Sequence, residues 1–157
     1  MYRMKEDFLQ EWKHASQGTL KVLEALTDDK LEQAIVKEHN TLGWLGWHLA
    51  NSLSFFGGQV GLKVDAAGQP NDVPSHANEI VAAYSRASEQ LQQEVEKLTD
   101  EQFVEAIDSF AGKVPRGSLL RSMIDHQTHH RGQMTVLLRQ AGLKVPGVMG
   151  PTLEDQM

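Results

Sequence analysis

The stretch "MIDHQTHHRGQM", Met123–Met134, decides how this chain is to be read. Turned through about 100° per residue, it continues a stripe made of Leu119, Met123, His126, His130, Met134 and Leu137. An apolar face repeating every three or four residues belongs to a helix packed on a core. Here the face is interrupted by two histidines. His126 and His130 stand at i and i+4, so both imidazoles can reach one ion. Side by side on an apolar face, two imidazoles repel when charged and compete for partners when neutral; a shared cation removes both difficulties. Spacing alone leaves the plainer reading open, since such pairs also occur on exposed helix faces. His129 points to the flank.

Working outward, this helix is predicted from about Gly117 to Ala141, with Gly142 as the residue that stops it. Gly132, inside the helix, costs about 1 kcal/mol relative to alanine, which suits a helix or ligand approaching the backbone closely, or is merely tolerated. Arg131 and Gln133 are assigned to a subunit contact, to the surroundings of the site or to solvent. Asp125 is not taken as a ligand.

Three more segments carry helical periodicity, and none shows a sustained period of two. The first runs from about Lys5 to Leu26. The second follows an N-cap at Asn40 or Thr41 and continues to about Leu62. The third runs from about His76 to Leu98, capped by Ser75. "LTDDKLEQAIVKEHN" reads as a polar connection with one short turn. "KVDAAGQPNDVPS", with its glycine and prolines, reads as a crossover loop. The tail "LKVPGVMGPTLEDQM" is expected to be extended across an end of the bundle. Four amphipathic helices joined this way predict one all-α domain over residues 1–157, a four-helix bundle with long crossover loops and an extended C-terminal tail.

On the second helix the apolar stripe is Leu42, Leu45, Leu49, Leu53, Phe56 and Val60. His48 falls beside it, in a row with Trp44, Ser52 and Phe55, where it can look into a gap between helices. Taken alone, His48 reads more readily as a hydrogen-bonded structural residue than as a ligand. Trp44 and Trp47 flank it; packing is the commoner use of such residues, and with Ser52 they are the candidates for a substrate pocket. His14, His39 and His76 show no partner spacing and are assigned to the surface or to helix ends.

Composition narrows the chemistry. The 157 residues include no cysteine, which excludes disulfides, thiolate zinc sites and a cysteine nucleophile. Any metal must be held by histidine, carboxylate or water. A formal charge of −6 with scattered basic residues argues against a nucleic-acid partner. The start has no apolar signal region and no stretch is long enough to span a bilayer, so a cytoplasmic protein without a membrane partner is expected.

"TLGWLGWHLANS", "DHQTHHRGQM" and the tail "GLKVPGVMGP" together resemble the DinB-like (DinB/YfiT-like) family of metal-binding four-helix bundles, over essentially the whole chain. The tail departs from it, with Met149 where an aromatic residue is expected before Gly-Pro. The resemblance implies that His48, His126 and His130 are the ligands of one divalent metal ion, zinc or nickel, and that the protein is a homodimer. It also implies an enzyme with a small-molecule substrate, of which a transferase using a low-molecular-weight thiol is the leading form. A metal-dependent hydrolase and a non-catalytic metal-binding bundle are the alternatives. A di-iron bundle of the ferritin kind would need two Glu-x-x-His motifs and inward glutamates; only Glu11–His14 has that spacing.

Overall fold

The computed structural model describes residues 1–156. Four long helices form the bundle: α1 (Lys5–Glu24), α2 (Leu42–Gln59), α3 (Ala77–Glu96) and α5 (Arg116–Gln140). A short helix, α4 (Asp100–Val104), and an antiparallel hairpin, β1 (Ala106–Ser109) with β2 (Gly112–Pro115), join α3 to α5. Around the bundle the order is α1, α3, α2, α5, so helices consecutive in sequence sit diagonally at two of the three connections. The predicted all-α bundle is present; the hairpin is an addition that its four-residue strands are too short to announce.

Each helix is there because its apolar residues repeat on one side. Phe8, Trp12, Val22 and Leu23 of α1, Ile80, Tyr84, Leu91 and Val95 of α3, and Leu42, Leu49 and Leu53 of α2 are all buried. Thr41 caps α2, its hydroxyl accepting from the Trp44 N–H at 3.1 Å. The predicted stop at Gly142 holds: its φ is +74°, and the Leu143 N–H returns to the Leu138 carbonyl at 2.9 Å. α2 ends three residues earlier than predicted, at a turn where Gly61 has φ +78° and Leu62 N–H bonds Gly57 O.

Two expectations are corrected. Ser75 does not cap α3. His76 occupies the cap position, and the free N–H of Ala77 is taken by Asp28 Oδ1 at 2.7 Å, from the 3-10 turn Asp28–Lys30. That cap is tertiary, so no local sequence pattern carries it. The tail, in turn, does not cross an end of the bundle. Gly142 reverses the chain, and bidentate bonds from Arg139 to Glu154, 2.7 and 3.1 Å, hold the returning strand along the flank of α5.

The crossover from α2 to α3 runs back along α2. Ser54 Oγ donates to Val64 O at 2.8 Å, and Trp47 Nε1 donates to Gln69 O at 2.8 Å. α2 and α3 therefore start at the same end, and α2 runs antiparallel to α5. The hairpin closes the other end of the α2–α5 groove: Arg116 donates to Val60 O, Gln102 O and Glu105 Oε2, while the Phe110 N–H reaches Gln59 Oε1 at 2.9 Å.

Candidate metal centre

α5 buries two rows, not one. One row is Leu120, Ile124, Gln127, Arg131 and Leu138, from which Arg131 reaches Ala15 of α1; the other is Leu119, Met123, Met134 and Leu137, on the side of His126 and His130. The buried arc is thus centred to one side of the stripe read from the sequence. His126 and His130 lie at its edge, half-buried where α5 meets α2, and not in the core proper.

Their ring nitrogens converge with that of His48. His48 Nε2 lies 3.0 Å from His126 Nε2, and His130 Nε2 lies 3.1 Å from the same atom. The three histidines expected as ligands form the group of nitrogen donors that can hold a metal ion. Ligand nitrogens about 2.0–2.1 Å from a tetrahedral zinc would sit little further apart than this.

The surroundings keep the rings neutral and aimed. Burial, with the neighbouring imidazoles, pushes His126 down to about 4; His48 and His130 are lowered from the usual histidine range chiefly by burial. Gln133 Oε1 lies 2.7 Å from His130 Nδ1. An amide oxygen can only accept, so Nδ1 carries the proton and Nε2 presents its lone pair to the cluster. His126 Nδ1 is buried with no hydrogen-bond partner, so the polar contacts of this ring are made at Nε2, where the other two histidines converge. Trp44 stacks on His48 with ring centroids 4.8 Å apart. The donor set fits a borderline divalent cation, and three protein ligands leave at least one coordination position for a small molecule.

Gln127 went unremarked in the sequence, yet it ties the site together. It is fully buried, and its amide meets every other long helix: Oε1 accepts from Tyr84 OH of α3 at 3.0 Å and lies 3.2 Å from Thr19 Oγ1 of α1. Nε2 donates to Ser52 Oγ of α2 at 3.0 Å. The available signal was its place in the row of Leu120, Ile124 and Leu138. Arg131 is likewise turned inward, 5% exposed, and donates to Ala15 O at 2.6 Å. Gln133 is the outer partner of His130, one of the roles open to it.

Of the substrate-pocket candidates, only Trp44 stays beside the histidines. Trp47 is buried against the crossover, over Gly68, and Ser52 is committed to Gln127 and Leu49 O. Two other features flank the cluster. Phe55, Phe56 and Phe110 form an aromatic group, with Phe56 5.4 Å from His126. On the other side, beyond Gln133, a cavity of about 430 Å³ is lined by Ile35, Glu38, Leu45, Val136 and Leu137. Asp125 pairs with Arg121, away from the cluster. Gly132 is not approached by another helix: a Cβ there would meet nothing within 4 Å.

Among the described residues no helix is long and apolar enough to cross a membrane. The chain is 38% identical over 156 residues to the uncharacterized protein YrdA of Bacillus subtilis (strain 168), an alignment covering 99% of this chain and 93% of that protein. The crystal structure of a DinB-like protein from Bacillus cereus ATCC 10987 superposes with a TM-score of 0.85 at 39% identity, covering 94% of this chain and 99% of that one. A second DinB-like protein, YjoA of Bacillus subtilis, shares the fold at 19% identity, with a TM-score of 0.72 over 92% of this chain and 99% of its own. The family model of the DinB family matches residues 1–157, and the chain belongs to the DinB family.

Proposed function

We propose that this protein is a divalent-metal-dependent enzyme whose ion is held by His48, His126 and His130, and that it transfers a low-molecular-weight thiol to an electrophilic substrate. The observation that carries the reading is the convergence of three neutral imidazole nitrogens, 3.0 and 3.1 Å apart, at the edge of the core and not inside it. A closed structural site would supply a fourth protein ligand. When bound, the metal supplies Lewis acidity that favours the thiolate form of a small thiol, chemistry that a chain without cysteine cannot supply itself.

The protein's own residues do the rest. Gln133 holds the proton on His130 Nδ1, so that Nε2 faces inward as a base. Gln127 fixes α5 against α2, which keeps His48 opposite His126. Trp44 limits the swing of His48 by stacking on it. The cavity beyond Gln133 and the aromatic group of Phe55, Phe56 and Phe110 offer apolar surface for a substrate on either side of the cluster. Zinc and nickel suit an imidazole set. A homodimer belongs to the same proposal: Phe55 and Phe110, 52% and 60% exposed, supply apolar surface for such a contact.

Cobalt-loaded protein titrated with bacillithiol, mycothiol, glutathione and coenzyme A tests the thiol reading. Thiolate ligation adds an intense charge-transfer band in the near ultraviolet, and turnover with an electrophile follows for the thiol that produces it. Absence of the band with all four, at full cobalt loading, removes the thiol and leaves hydrolysis as the activity to assay. Sedimentation at tens of micromolar, an order-of-magnitude choice for an ordinary interface, tests the dimer.

A further inference from the structure

The Arg131-Gly132 pair is not used by the histidine cluster, and the structure gives it a different setting. Arg131 points away from His130, toward α1. Its guanidinium is buried, yet the acceptors it meets are neutral: Ala15 O at 2.6 Å, Thr19 Oγ1 at 3.3 Å and Thr128 Oγ1 at 3.3 Å. Among the described residues no carboxylate pairs with it. A buried charge without a counter-charge is costly.

Beside it lies a cavity of about 440 Å³ between α5 and the returning tail, whose wall includes Arg131, Gly132, Val145, Pro146, Val148 and Pro151. The tail is pressed down here: a Cβ on Gly18 would meet Val148 Cγ1 at 2.6 Å and Arg131 Nη1 at 3.3 Å. Gly132, by contrast, has open space where a side chain would stand. The helix thus gives up stability at the position where a side chain would occupy the cavity. Arg139 also lines the space, but its charge is met by Glu154. No lining residue is acidic. The Arg131 charge thus has no acidic partner, and the walls set Val145, Pro146, Val148 and Pro151 beside the hydroxyl-bearing Thr128, Thr135 and Thr152.

We propose that this cavity is a second ligand site, separate from the histidine cluster, for a small molecule carrying one carboxylate on an apolar body. The carboxylate meets the Arg131 guanidinium, whose planar donors match it. The body lies against Val145, Pro146, Val148 and Pro151, over Gly132.

Benzoate and its neutral isostere benzamide are titrated at constant ionic strength into the metal-free full chain, following the Arg131 Nε–H resonance and the melting temperature. His126→Ala serves as a parallel background that removes the metal centre from the response. Benzoate is expected to shift the resonance saturably, with a dissociation constant on the order of 1 mM or tighter, in both backgrounds, and to raise the melting temperature; benzamide does neither. Gly132→Leu, which fills the cavity from a helical position with free space, is expected to melt no lower than the wild type and to lose the benzoate response. An equal response to benzamide, retention of the response in Gly132→Leu, or no saturable shift in the wild-type chain overturns the proposal. The benzoate and benzamide comparison decides even where the leucine variant folds poorly.

Discussion

The side-chain amide of Gln127 donates to Ser52 Oγ at 3.0 Å across the α2–α5 contact, one residue along the chain from His126 and one helical turn from His48. The same side chain accepts from Tyr84 OH of α3. A single buried amide thus sets the register of α5 against α2, and the positions of the metal-facing nitrogens follow from it.

Gln127→Leu is expected to leave the hydroxyls of Ser52 and Tyr84 without this partner in the core. Each buried polar group so stranded costs about 1–3 kcal/mol. Urea unfolding followed by circular dichroism should show a lower midpoint with helical content retained. Metal affinity should also fall, because His48 is no longer held opposite His126. An unchanged midpoint would mean that the network carries no stability.

Gln133→Leu probes the orientation of His130 without touching a ligand. Gln133 is exposed on α5, and its side-chain oxygen lies 2.7 Å from His130 Nδ1. Loss of such an outer partner typically lowers metal affinity about 10–100-fold. Competition titration against a chromophoric chelator measures it, with melting temperature as the control for folding. Wild-type affinity would show that the tautomer is fixed by the cluster alone.

Acid should weaken the metal-free protein in a defined window. In the folded chain His126 is held down to about 4, whereas an unfolded histidine titrates near 6.5. Between those values the unfolded chain binds a proton that the folded chain does not, so unfolding becomes easier as pH falls. Stability is therefore full above about 6.5 and lost progressively toward 4. The lowered values of His48 and His130 act with the same sign. Urea midpoints at several pH values should slope less steeply for His126→Ala than for the wild type. Metal affinity in turn should hold through pH 6.5 and fall below it, because protons compete only once these depressed groups titrate.

The helices and the pairing of His126 with His130 were legible in the sequence because they depend on periodicity, which one strand of text carries; His48 joined them only through the family resemblance, since its own spacing reads as structural. Gly142 as a stop, and Thr41 as one of two possible caps, were legible for the same reason: their partners lie within a few residues. What escaped depends on contacts between distant segments. Asp28 caps α3 from 49 residues away, and the inward turn of Arg131 is decided by Ala15 and Thr19 on α1. A helical wheel drawn around apolar residues passes over Gln127, since its burial is repaid by three other helices that the wheel does not contain. The same wheel placed His126 and His130 in the core, because it could not show that α5 buries a second row against α1. The hairpin was missed because its strands have only four residues each and its turn is tied from a distance, the Phe110 N–H bonding Gln59 Oε1 of α2.

His129→Ala separates the cluster from its neighbour. His129 is exposed and its ring stacks edge-on against His130 with centroids 4.9 Å apart, outside the group of converging nitrogens. Metal stoichiometry should remain that of the wild type, read by elemental analysis after dialysis. Loss of the ion would place His129 among the ligands.

The most direct measurement is the metal content of the full chain purified without an affinity tag, beside His48→Ala, His126→Ala and His130→Ala prepared in the same way and checked for helical content. Inductively coupled plasma mass spectrometry should find one divalent transition metal per chain in the wild type and no stoichiometric metal in the His126 and His130 variants, with His48→Ala strongly depleted. A folded wild-type protein that takes up no divalent ion on reconstitution, or variants that keep full occupancy, would contradict the three-histidine centre.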